Sequence, residues 1–159
     1  MNYHVISTLV EDKPGVLQKV AGLFNRRGFN IESITVGMSE TQDLSRMIIT
    51  LHADEKGLEQ ITKQLNKLVD VIKIKDITKS AVKRELCLIK INIIDSKTRS
   101  EIMQYVNIFR GRIVDVTNET LMVELTGDKK KINTFISLVE PYGIKKISRT
   151  GMTAMVRGV

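Results

Sequence analysis

A single cysteine, Cys87, excludes any disulfide within this 159-residue chain and points to a reducing compartment. Cys87 sits in an apolar run, where a thiol reads as a small buried core residue. Histidine is equally scarce. His4 and His52 each fall inside a predicted strand with no carboxylate in register, so both read as ordinary strand residues. Neither His-x-x-x-His nor Cys-x-x-Cys occurs, so no metal site is expected. There is no Gly-x-Ser-x-Gly elbow, phosphate loop or dinucleotide fingerprint, so no catalytic residue can be nominated. No apolar run reaches membrane-spanning length, and Met1-Asn2-Tyr3-His4 leads straight into a strand-like segment; a cytoplasmic protein with no membrane partner is expected.

What is present is an ordinary globular composition, 42% hydrophobic and 27% charged, with a net charge of +7. That charge is unevenly placed. Residues 1–78 carry ten basic and ten acidic side chains, whereas residues 79–159 carry fifteen basic and eight acidic. A balanced half followed by a basic half suggests two units with different partners, nucleic acid or an acidic protein surface for the second.

Periodicity divides the first half into strand 3–10, helix 15–26, strand 31–38, strand 45–52, helix 56–68 and strand 71–77. Val16, Leu17, Val20, Leu23 and Phe24 recur at helical spacing, while Met47, Ile49 and Leu51 alternate as on a strand. The second half repeats the order: a strand through Ile89, Ile91 and Ile93, a helix near 98–109, strands 112–117 and 120–126, a helix at 128–139 and a strand at 144–149. Arg110-Gly111 ends its helix much as Arg27-Gly28 ends the first. The pattern predicts an α+β chain of two tandem ferredoxin-like βαββαβ domains, 1–78 and 79–159, joined near Thr78–Lys83. The tail from Gly151 carries only a weak strand pattern. Ile48, opposite Met47 on its strand, would face out of a one-sided sheet, which a homo-oligomer could cover.

This order of elements also permits an RNA-recognition fold, which stacks bases on aromatics of its central strands. Strands 112–117 and 120–126 contain no aromatic residue, and Lys129-Lys130-Lys131 reads as a solvated helix end. Nucleic acid is therefore a minority reading.

One constellation remains. Glu11-Asp12-Lys13-Pro14-Gly15-Val16-Leu17 reads as a strand end, a tight loop and a helix start, and Arg27-Gly28-Phe29-Asn30-Ile31 as the helix end running into the next strand. Its bland reading is a capped helix with Asp12 as cap, Pro14 in the first turn and Gly15 for the turn geometry. Its functional reading is an amino-acid site. Helix-start N–H groups would take the carboxylate, Asp12, Asn30 or backbone carbonyls the ammonium, and Val16, Leu17 and Ile31 would form an apolar lining. That reading lets Asn30 sit near the same loop.

These segments, with Leu44-Ser45-Arg46-Met47, Gln64-Leu65-Asn66-Lys67-Leu68-Val69-Asp70-Val71 and Ile108-Phe109-Arg110-Gly111-Arg112-Ile113-Val114-Asp115-Val116-Thr117, closely resemble the regulatory small subunit of acetohydroxyacid (acetolactate) synthase. The Pro14-Gly15 loop alone would indicate only an ACT-type amino-acid-sensing domain, leaving a sensor for another partner as the alternative. The resemblance implies that residues 1–78 are an ACT domain that forms a homodimer and binds a branched-chain amino acid, usually valine, between two copies. Asp12, Gly15, Val16 and Leu17, with Pro14 in the loop, would come from one copy; Asn30 and Ile31 would come from the other. It further implies a non-catalytic subunit that activates a catalytic large subunit and confers feedback inhibition. No cofactor is expected on this chain; thiamine diphosphate, FAD and magnesium would belong to the catalytic partner. Family members often carry asparagine where this chain has Asp12, whose carboxylate would attract the ligand's ammonium and repel its carboxylate.

Overall fold

A computed structural model describes residues 1–158. The first unit runs β1 (Asn2–Glu11), α1 (Val16–Arg26), β2 (Ile31–Met38), β3 (Leu44–Ala53), α2 (Glu55–Asn66) and β4 (Val71–Asp76). Its strands form one antiparallel sheet in the order β2-β3-β1-β4. Alternation sends Ile6 and Val10 of β1 and Met47, Ile49 and Leu51 of β3 to one face, where they meet Val20, Leu23 and Phe24 of α1 and Ile61 and Leu65 of α2. That cluster is the first core.

The second unit repeats the plan with β5 (Ala81–Asn92), α3 (Ser96–Ile108), β6 (Arg112–Val116), β7 (Thr120–Gly127), α4 (Lys129–Val139) and β8 (Ile144–Val156), in the sheet order β6-β7-β5-β8. Its core gathers Ile89, Ile91, Val123, Leu125, Ile102, Phe135 and the fully buried Cys87. Asp95 and Asp128 cap α3 and α4 by accepting from the N–H groups of Thr98 and Lys131. Both units are thus ferredoxin-like, as periodicity implied.

Three expectations need correction. The final strand does not stop at residue 149; β8 continues to Val156, although Gly151 within it adopts φ +76°. Compactness divides the chain after Val82 rather than Thr78, and it returns the tail from Met152 to the first unit. There Met152 and Ala154 cover Val5, Ile48 and Ile77 on the sheet face away from the helices. Thr35 Oγ1 donates to the carbonyl of Met152 at 2.9 Å. Ile48 is consequently 2% exposed within a single chain and calls for no second copy. The pattern of residues 151–156 is weak because its inward positions carry methionine and alanine after a glycine, rather than the valine, isoleucine or aromatic residues that mark a strand.

The two helix ends differ by one residue. After α1, Gly28 takes φ +72°, with its N–H on Asn25 O and the N–H of Phe29 on Phe24 O, a Schellman pair. After α3 the same pair of bonds runs from Arg110 to Asn107 and from Gly111 to Val106, so Arg110, at φ +55°, holds the left-handed position. Gly111 is needed instead for close packing: a Cβ there would lie 3.2 Å from Glu124 O. Relief of left-handed strain outweighs the entropy that glycine adds to the unfolded chain. Arg110→Gly should therefore raise stability by about 0.5 kcal/mol, read as a higher urea midpoint.

Candidate functional site

The loop between β1 and α1 is shaped by its backbone. Glu11 N–H donates to Asp70 O and Asp12 N–H to Asp43 O, both at 2.9 Å, which ties the loop to the start of β4 and to the β2–β3 turn. Gly15 is the residue that caps α1. It takes φ +87°, a region that disfavours a side chain, and no side chain caps the helix. Asp12 is therefore not the cap, and Pro14 precedes the helix rather than joining its first turn. The helix begins at Val16, so Asp12 stands four residues ahead of it, with the Pro14-Gly15 turn between.

The consequence is an open cradle. Val16 N–H makes a long 3.4 Å bond to Lys13 O, while the N–H groups of Gly15, Leu17 and Gln18 meet no acceptor among the described residues. No acidic residue lies in the first turn to fill the space, and a Cβ on Gly15 would meet nothing within 4 Å. Three unmet donors at the positive end of a helix are suited to a carboxylate. Val16 is buried in the core, whereas Leu17 is 47% exposed and offers an apolar flank.

Charges frame the cradle without occupying it. Lys13 pairs with Glu11 at 2.6 Å, and Lys19 with Asp70 at 2.8 Å. The hydrogen bond that Lys13 donates to Glu11 raises the Lys13 ammonium, and the bond donated by Lys19 holds the Asp70 carboxyl below its usual range. Each lysine is thus paired with a neighbouring carboxylate.

Asn30 and Ile31 lie elsewhere. Ile31 pairs with Leu51 of β3, which pairs with His4 of β1, while the loop leaves β1 at Glu11, opposite Leu44. Seven residues along a strand separate the two levels, roughly 24 Å. The expectation that Asn30 sits near the loop of its own chain is therefore overturned by the sheet register. Asp12, Pro14, Gly15, Val16 and Leu17 cluster at one end of the unit, and Asn30 and Ile31 stand at the other. The opposite end of β2 does lie close: Met38 pairs with Ser45, which faces Val10, one residue before Glu11.

β2 is an edge strand of this sheet, as is β4. The two edges differ in chemistry. Three of the six residues of β4 are charged, a common defence against further pairing, whereas β2 has Glu32 alone among eight and exposes Val36 and Met38. Asp43, at φ +63°, holds the loop through its carbonyl, yet nothing in the sequence tied it to residue 12. Only the β1–β3 register, which sets Leu44 beside Glu11, could have revealed it.

Comparison with known proteins gives a consistent result. Residues 6–73 match the family described as the AHAS small subunit-like ACT domain, and residues 84–158 match the small subunit of acetolactate synthase. A probable acetolactate synthase small subunit of Methanothermobacter thermautotrophicus is 62% identical over 156 residues, covering 98% of this chain and 93% of that protein. Its counterpart in Archaeoglobus fulgidus is 57% identical over 155 residues, covering 98% and 97%. The crystal structure of the small subunit from Thermotoga maritima superposes with a TM-score of 0.92 at 47% identity, covering 100% of this chain and 99% of that one.

Proposed function

The chain belongs to the acetolactate synthase small-subunit family, and we propose that it is the non-catalytic regulatory subunit, activating a catalytic large subunit and subjecting it to feedback inhibition by a branched-chain amino acid, valine foremost. The observation that carries this reading is the open backbone cradle at Gly15, Leu17 and Gln18, at the opposite end of the sheet from Asn30 and Ile31. Two copies pairing antiparallel through β2 would set the partner's Ile31 near Met38, and hence near the cradle. The effector's carboxylate would then sit on the helix start, its side chain against Leu17 and the partner's Ile31, and its ammonium by Asp12 or the partner's Asn30.

In this arrangement the effector works by population shift. It binds only where two copies meet, so it favours the dimer geometry that completes the site, and the surface offered to the catalytic subunit changes with it. Thiamine diphosphate, FAD and magnesium belong to that subunit in this reading.

Titration calorimetry with valine, leucine and isoleucine tests the sensor role. Heat and a raised melting temperature are expected with valine; silence from all three would count against it.

A further inference from the structure

We propose that the face of the first unit's sheet away from its helices holds a second ligand site, for a small organic polyanion such as a phosphate ester or a di- or tricarboxylate with an apolar portion. A cavity of about 510 Å³ opens there, between the sheet and the tail strand. Across it, Leu9 of β1 pairs with Arg46 on β3 and with Lys73 on β4, and Ser7 pairs with Lys75 on β4. Strand spacing sets the backbones of Arg46 and Lys73 roughly 10 Å apart, within reach of one small polyanion from both sides. Leu9, Ile77, Ala154 and Val156 line the same cavity and supply its apolar surface.

The charges around it are unbalanced. Arg46 donates to both oxygens of Glu40, at 2.9 and 3.1 Å, and reaches Ser7 Oγ at 3.5 Å. Lys73 and Lys75 have no ion-pair partner among the described residues. Three cations therefore line the cavity against one carboxylate, Glu40. Lysines on an edge strand also deter sheet extension, and β4 is an edge. That role would be met by lysines anywhere along the edge, and it does not explain a cavity with an arginine on the far side of β1. Nor does the site overlap the cradle, since no residue of the Pro14-Gly15 loop lines it.

The test is calorimetric titration of the full chain with pyrophosphate and, separately, citrate, at low and at physiological salt. Binding of at least one, at one per chain and weakened by salt, is expected. Pyrophosphate alone would identify a phosphate ligand, and citrate alone a carboxylate; either supports the shared chemistry. Lys73→Gln with Lys75→Gln should weaken that binding about tenfold or more, while Lys145→Gln with Lys146→Gln, on exposed β8 positions, leaves it unchanged. Urea midpoints of both double variants should match the parent, which separates loss of binding from loss of fold. Binding of neither probe at about 5 mM, or equal weakening in the two double variants, would overturn the proposal.

Discussion

Gly15→Asp is expected to lower affinity for valine by roughly 10- to 100-fold while the chain stays folded. The new Cβ would enter open space, so no core contact is lost. At φ +87° a side chain costs about 1 kcal/mol of strain. Part of this is returned when the carboxylate accepts from the unmet N–H groups of Leu17 and Gln18, as an N-cap does. That acceptance is what blocks the ligand. A charge-assisted hydrogen bond contributes about 1.5–3 kcal/mol, and each 1.4 kcal/mol is tenfold in affinity. Gly15→Ala carries similar strain without the carboxylate and should keep affinity within a few-fold. Unchanged valine affinity in folded Gly15→Asp would remove the cradle from the effector site.

Met152→Asp is expected to cost about 3 kcal/mol or more of unfolding free energy, seen as a lower urea midpoint. Met152 is 4% exposed among Val5, Ile48 and Ile77, with Tyr3 Oη donating to its sulfur at 3.5 Å. A carboxylate there would be buried among apolar side chains, which is among the few mechanisms that give losses this large. Met152→Leu keeps the volume and should cost less than about 1.5 kcal/mol. Equal midpoints for Met152→Asp and the parent would mean that the tail does not seal the outer face of the first sheet.

Much of the architecture was legible because both units follow plain rules. Helices α1, α2 and α4 carry apolar residues at three- and four-residue spacing, β5 alternates through Ile89 and Ile91, and β1 and β3 are rich in β-forming residues, so element order and type followed from the pattern. The tail was not legible, since its role depends on covering a sheet face formed by residues about a hundred positions earlier. The helix start was misread for a local reason. Asp12 and Pro14 have the composition of a cap and first turn, but Gly15 in a left-handed conformation starts the helix one turn later. The site residues were named from the loop pair, and the family resemblance divided them between two copies; their separation across the sheet of one chain emerged from strand register. Asn30 is fifteen residues from Gly15, a distance equally compatible with contact and with opposite ends.

One effector site built from two copies has a consequence that a mixing experiment reads out. Gly15→Asp damages the cradle and Asn30→Ala the other half, so each variant alone should fail to bind valine tightly. Coexpressed, they should form mixed dimers in which one site carries both substitutions and the other neither. Random pairing then restores tight valine binding at about a quarter of all sites. If the site were contained within one chain, every chain in the mixture would keep its own lesion. No recovery of tight binding, in a mixture shown to contain mixed dimers, would contradict the shared site.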